Sequence, residues 1–490
     1  MSKNTYQLAM LTPDNAIINF IDLIQKKDNH YKLATTIPKF FVDVNFGMLD
    51  NGNYELSFEL QQEDLSKGIN VDYFFTRPFI LFRPGQKIFI QNIDIIQAKQ
   101  SLSETSPRKF GIQFKAYEGN TDESLWLQSK QSAYIKFNCK IFEPHKLGVT
   151  FDLTTKDSET NGFYNAIRLN IDNIDMVFYY ENIDHENGYY VFRHNGMIDY
   201  PKFRNIIDST MIAFGVLSGF YMADSIYIIA QKSNDINGLT YRYENLKNVI
   251  NSNAPIIPSG YYKDIPEDKL KLTSKQFNEF VRLLYTNEDY KRSAILLINA
   301  SAETGCAKAT LGAVALETIT SVIGKNVTIK KVIDNKQIIS SLKYKLTKAL
   351  KEFKETISQE QFNILKNKIG VINSMPNSNK YIEAFKISGI DLNEEDIYCI
   401  KCRNLFLHGN LPKREKDIAL SDDELLDFVS NRLVMLSSML LLKKSGYNGF
   451  VIDKGMTQII KWRMIRQGKR VKSGNCLREI VESSNPISKS

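Results

Sequence analysis

The chain has 490 residues, 43% hydrophobic and 24% charged, with a net charge of +8. At roughly 150 residues per domain that length implies about two to four domains, and the composition is that of an ordinary soluble globular protein, with no sign of extended disorder before the last residues, VESSNPISKS. Five cysteines, an odd and sparse count, fit a reducing cytosol better than a disulfide framework.

The N-terminus, MSKNTYQLAMLTPDN, lacks the basic start and continuous apolar core of a signal peptide. The longest uncharged apolar run, LVMLSSMLLL at 433–442, is shorter than the ~20 residues a bilayer span needs. The expectation is a cytoplasmic protein with no membrane partner.

From about 35 to 200, short runs rich in aromatic and β-branched residues follow one another, among them KFFVDVNF, YELSFEL, KIFIQNIDII, FGIQFKAY and AYIKFNC. Several alternate apolar with polar, as half-buried strands do. Turn signals punctuate them at 50–53, 83–86 and 118–120. This predicts a β-rich region over 1–250, a sandwich or barrel-like fold with a packed helix near 203–221 and a further strand from 225. NSNAPIIPSGYYKD at 251–264, with two prolines and a glycine, reads as part of a linker over 251–269.

From Ser274 the period becomes helical, which predicts an all-α domain over 270–460. In SLKYKLTKALKEFKETI the apolar residues fall on one face and the lysines on a solvated one. SDDELLDFVSNRLVMLSSMLLLKKSG opens on a capping box, Ser421 to Glu424, and closes on Lys443, Lys444 and Gly446. The chain is thus expected to be α+β, a β-rich half followed by a helical one. The last stretch, 461–490, reads as a basic tail, with seven basic residues and no acid from Lys461 to Arg478. Such a field favours polyanions, although a solvated surface tail has the same composition.

There is no GxxxxGK[ST] loop, no GxGxxG and no HExxH. Cys399 and Cys402 form one CxxC without a second pair at zinc-finger spacing, so two core cysteines are expected, with no metal and no cofactor.

One helix stands apart. NEEDIYCIKCRNLFLHG starts on Asn393, Glu394, Glu395 and Asp396, good residues for a helix start, and Gly409 is a natural stop. At about 100° per residue, Lys401, Asn404 and His408 share a stripe with Ile397 and Ile400, and Arg403 lies about 140° from His408. The two meet only if the arginine stem reaches round the axis or if each comes from a different copy. A core Arg held by one carboxylate, with His408 capping its own helix, accounts for the same spacing. Upstream, ATLGAVALETITS at 309–321 carries a single charge, Glu317, on a side shared with Thr310, Ala313 and Thr320. Small residues there let another helix approach, and a lone carboxylate needs a cation. Arg403 is the chosen partner, a surface lysine the other.

Arg403-Asn404-x-x-x-His408 resembles the RNxxxH signature of HEPN ribonuclease domains. With the ALET stretch and the β-rich half in front, the layout is similar to the ApeA-type HEPN proteins of bacterial anti-phage defence. The resemblance covers roughly 270–450 and implies a metal-independent endoribonuclease acting by abortive infection, with a composite site at a homodimer interface. It implies His408 as general acid or base, Arg403 on the scissile phosphate, Asn404 orienting the imidazole or donating to phosphate, and Glu317 fixing Arg403 or the histidine. Products would carry 2′,3′-cyclic phosphate and 5′-OH ends. RNA (host tRNA, or phage or host mRNA) is the implied partner, with a phage-encoded trigger expected. Lys401, Lys413, Arg414, Lys416, Arg463, Arg466, Lys469 and Arg470 are the candidate RNA contacts, with Trp462 able to stack on a base. The β-rich half would be a sensor or substrate-selecting module. The alternatives are a non-catalytic HEPN scaffold for dimerisation or nucleic-acid binding, and a DNA-binding regulator built on the basic tail.

Overall fold

A computed structural model describes most of 15–456 and 476–480; residues 1–14, 62–77, 139–147, 244–254, 259–264, 326–331, 408, 413–419, 457–475, 481–490 and several short turns lie outside the described residues. Two compact units emerge, Met1–Thr286 and Asn287–Ser490.

The first unit is built on six strands that close on themselves: β1 (Asn29–Thr35), β2 (Phe40–Met48), β3 (Tyr54–Leu60), β4 (Phe79–Arg83), β5 (Gln86–Gln100) and β6 (Arg108–Glu118). All pair antiparallel, in the order β3-β2-β1-β4-β5-β6, and β6 returns to β3. Closure removes the unpaired edges that invite aggregation. Alternation explains the interior: in β3, Tyr54, Leu56, Phe58 and Leu60 are buried and the residues between them are more exposed. The expected barrel-like option is therefore the architecture found. Helix α1 (Asn15–Gln25) adds Ile17, Ile18, Ile21 and Ile24 to the same core.

Through β6 the sheet continues into β7 (Lys130–Asn138), β8 (Leu153–Lys156), β9 (Phe163–Ile171), β10 (Ile174–Asn182), β11 (Asn187–His194), β12 (Ser225–Lys232) and β13 (Asp235–Tyr243). The expected helix is α2 (Tyr200–Ser218). Asp199 accepts a hydrogen bond from the Lys202 N–H at its start, and Gly219 takes a left-handed φ of 81° at its end. Phe214 of α2 packs on Phe178 of β10 and on Phe277 of α3 (Ser274–Thr286). The Asn278 side chain of α3 accepts from the Asn170 N–H and donates to the Arg168 carbonyl of β9. So α3, which the periodicity assigned to the helical half, belongs to the first unit. The change of period marks a helix and carries no information about which core that helix covers. Two residues of the expected linker, Ile256 and Ile257, are buried, and the Ile256 N–H donates to the Leu217 carbonyl.

The second unit is helical: α4 (Glu288–Ala302), α5 (Gly305–Lys325), α6 (Lys336–Glu352), α7 (Gln359–Gly370), α8 (Asn377–Ile387), α9 (Glu394–Leu407) and α10 (Asp422–Lys444), with a short antiparallel pair of β14 (Phe450–Ile452) and β15 (Leu477–Glu479). The capping box at Ser421 and Glu424 forms in both directions. The run 433–442 is wholly buried. By length and composition, α5 and α10 could each cross a membrane; 50% and 89% of their apolar windows are buried within the unit, and α10 occupies the place of a core helix.

Gly312 sets the approach of α5 to α10, since a Cβ there would stand 3.3 Å from Val434 Cγ2 and 3.4 Å from Leu433 Cβ. Gly312→Val is expected to lower stability by about 1–3 kcal/mol, because two further methyl groups must displace α10. Urea unfolding of the two proteins checks this, and an unchanged midpoint would refute it.

Candidate active site

Helix α9 buries one stripe and exposes another. Asp396, Cys399, Ile400, Cys402, Arg403 and Phe406 are buried, with 396, 399, 403 and 406 at the 3–4–3 spacing of one helix face, and Lys401 and Asn404 are exposed. The sequence stripe of Lys401 and Asn404 therefore faces solvent and Arg403 faces the core. His408 lies outside the described residues, as do Lys413, Arg414, Lys416, Arg463, Arg466, Lys469 and Arg470. The helix ends on Gly409 at φ 71°, with the Asn410 N–H donating to the Leu405 carbonyl.

Arg403 and Glu317 come together. Nη1 of the arginine donates to Glu317 Oε2 at 3.3 Å, and the arginine side chain is 2% exposed while the glutamate is 47% exposed. The carboxylate is thus the member that meets water. The guanidinium lies over the ring of Tyr381, on α8, 3.8 Å from its centroid. The Tyr381 hydroxyl lies close enough to Glu317 and Arg403 to feel both charges, and burial, opposed by the Arg403 charge, pushes its pKa up to about 12. It is a neutral donor at pH 7. Nε of Arg403 is buried without a hydrogen-bond partner, and so is Nε of Arg432. A buried, unmatched donor on a cation is costly.

Tyr381 was not a sequence candidate. It stands in NSNKYIEAFKI among ordinary helical residues, and the one available signal is that Tyr381, Ala384 and Phe385 share a buried face.

Behind this cluster, α9 is held at its start by an ion network. Arg432 of α10 donates to Asp453 at 2.6 Å and to Glu395 at 2.7 Å, and Arg478 donates to Asp396 at 2.7 Å through Nη1. Asp396 is fully buried. Residues 477–480, placed by sequence in a basic tail, are tied into the helical unit: β15 pairs with β14, and Arg478 is committed to α9.

Cys399 and Cys402 are buried thiols outside any disulfide, and burial raises the Cys399 pKa well above its ordinary value. Among the described residues no group of three or more His, Cys, Asp or Glu could hold a metal ion.

Comparison of the chain with protein-family models, with curated proteins and with solved structures gave no match. What the site can do must be read from its own residues. It offers a guanidinium stacked and paired in a fixed orientation, an exposed amide at Asn404, and an adjoining cavity.

Proposed function

We propose that the chain is a metal-independent endoribonuclease of the HEPN type, acting in anti-phage defence by abortive infection. One observation carries the reading: the guanidinium of the RNxxxH helix is held by the one carboxylate of the small-residue helix, beside the outward-facing Asn404. Two copies would each bring one such helix. One His408 takes the proton from a ribose 2′-OH, O2′ attacks phosphorus, and the P–O5′ bond breaks. A protonated His408 gives its proton to the departing O5′, leaving 2′,3′-cyclic phosphate and 5′-OH ends. Arg403 stabilises the charge that grows on the non-bridging oxygens.

A second reading is favoured by the 2% exposure of the Arg403 side chain. A guanidinium so covered, with its charge met by Glu317, also suits a non-catalytic HEPN module that serves dimerisation or nucleic-acid binding.

Incubation of the purified protein with total RNA in EDTA separates the two. The ribonuclease is expected to cut under chelation and to leave ends that resist ligation until the cyclic phosphate is opened. Binding without cutting, in a protein that is also harmless when expressed in cells, would establish the scaffold.

A further inference from the structure

Next to the Arg403–Glu317 pair, between α5 and α8, lies a cavity of about 400 Å³. Small-molecule sites span ~300–1,000 Å³. Its α5 wall carries Glu317, Thr320 and Ser321, and its α8 wall Tyr381 and Ala384; Lys325 and Lys380 also line it. Nothing in the sequence reading assigned a role to this space.

The lining has three chemistries in one place. Ile387, beside the edges of the buried Tyr381 and Ala384, supplies an apolar side against which a flat ring can pack. The Ser321 hydroxyl and the Glu317 and Glu383 carboxylates are hydrogen-bonding groups suited to the polar edge of a base. Two ammonium groups supply charge for a phosphate, and each already has a partner of its own. Lys325 is already paired, with Asp289 at 3.4 Å, but its side chain is 65% exposed. An exposed pair of that kind is worth little and yields to a better anion.

We propose that this cavity is a ribonucleotide subsite: it receives one nucleoside of a single RNA strand, with Lys325 and Lys380 meeting the adjoining phosphate and Tyr381 positioning Arg403 from its inner wall. The choice of RNA as the strand rests on the ribonuclease reading. Tyr381 is a positioning residue because it touches both members of the ion pair. Its ring fixes the plane of the guanidinium, and its hydroxyl, near the Glu317 carboxylate, favours the orientation in which that carboxylate meets Arg403. Without the hydroxyl, that orientation is less favoured and Arg403 is held less firmly.

The test uses a fluorescein-labelled, fully 2′-fluoro RNA 10-mer, which lacks the nucleophile and is not cut, with anisotropy measured on the whole protein at fixed salt. Ser321→Trp fills the cavity, and Ser321 is exposed on its wall, so the fold is kept and the melting temperature verifies this. Both Ser321→Trp and Lys380→Ala are expected to weaken binding by about tenfold, the scale of one stacked base or one lost phosphate contact. Tyr381→Phe is expected to bind the 10-mer as the parent does, yet to lower kcat on cleavable RNA with KM unchanged, a split that general loosening of the fold does not produce. Equal affinity of parent and Ser321→Trp, or no binding by the parent, overturns the subsite. Cleavage by the parent with an unaltered KM in Ser321→Trp also overturns it and leaves the ribonuclease reading standing. Binding lost in Ser321→Trp, with no cleavage by any form, supports the subsite and counts against the ribonuclease.

Discussion

His408→Ala is expected to reduce EDTA-resistant RNA cleavage by about 10²–10⁴-fold, the usual contribution of a positioned acid or base. Arg403→Ala is expected to cost about 10²–10³-fold through lost stabilisation of the phosphorane charge. Arg403→Lys should recover little. An ammonium keeps the charge but has no planar fork to hold Glu317 and a phosphate at once, and no flat face to lie on Tyr381. The arginine variants must be checked for folding. Arg403→Ala leaves Glu317 unpaired, but that carboxylate is 47% exposed and water replaces the lost partner. Arg403 is among the largest fully buried side chains, so its truncation also leaves a cavity and lowers the melting temperature; cleavage lost at a temperature where the variant is still folded is the expected result. Undiminished cleavage in His408→Ala or in Arg403→Ala would sink the mechanism.

Arg432→Ala is expected to be the most destabilising single change in the helical unit, by about 3–5 kcal/mol. The Arg432 side chain is 2% exposed, its closest partner Asp453 is 8% exposed, and Asp396, 3.6 Å away, is fully buried. Alanine leaves two buried carboxylates short of a cation, and Arg478 alone faces Asp396. The pair with Glu395 adds little, since that carboxylate is 56% exposed. Removing both charges of the closest pair, in Arg432→Met with Asp453→Asn, is expected to recover a large part of the loss, because the cost lies in the abandoned charge. Urea unfolding of parent, single and double variants measures this, and a single variant within 1 kcal/mol of the parent contradicts it. The same change is expected to lower cleavage, since α9 carries Arg403 and Asn404 and is held at its start by this network.

Much of the helical site was legible in the chain itself. Glu317 is the sole charge in 309–321, and a lone carboxylate on a small-residue helix must find a cation; the partner chosen from sequence, Arg403, is the one found at 3.3 Å. The offset of Arg403 from the Lys401–Asn404 stripe was legible too, as an angle on an ideal helix. Its meaning was not. The sequence left open whether the arginine reached round the axis, met a second copy or was a core arginine held by one carboxylate; the structure shows the last, turned inward onto Tyr381 and paired with Glu317. Nothing within ten residues of Tyr381 distinguishes it from any helical tyrosine. The tie of Arg478 to α9 was equally hidden, because a basic residue in a basic run reads as solvated charge.

By itself, the sequence determined what periodicity and capping encode: strands that alternate in the first half, helices with marked ends in the second, and a motif at the end of one of them. Those signals are local, carried by residues a few positions apart. Tertiary structure alone decided that six strands close into a barrel, that α3 covers the first unit, and that Tyr381 and Glu317 enclose Arg403 beside a cavity. These are contacts between distant segments. Each depends on which apolar faces meet, a choice made by the sum of many small burial terms that no short stretch of residues contains.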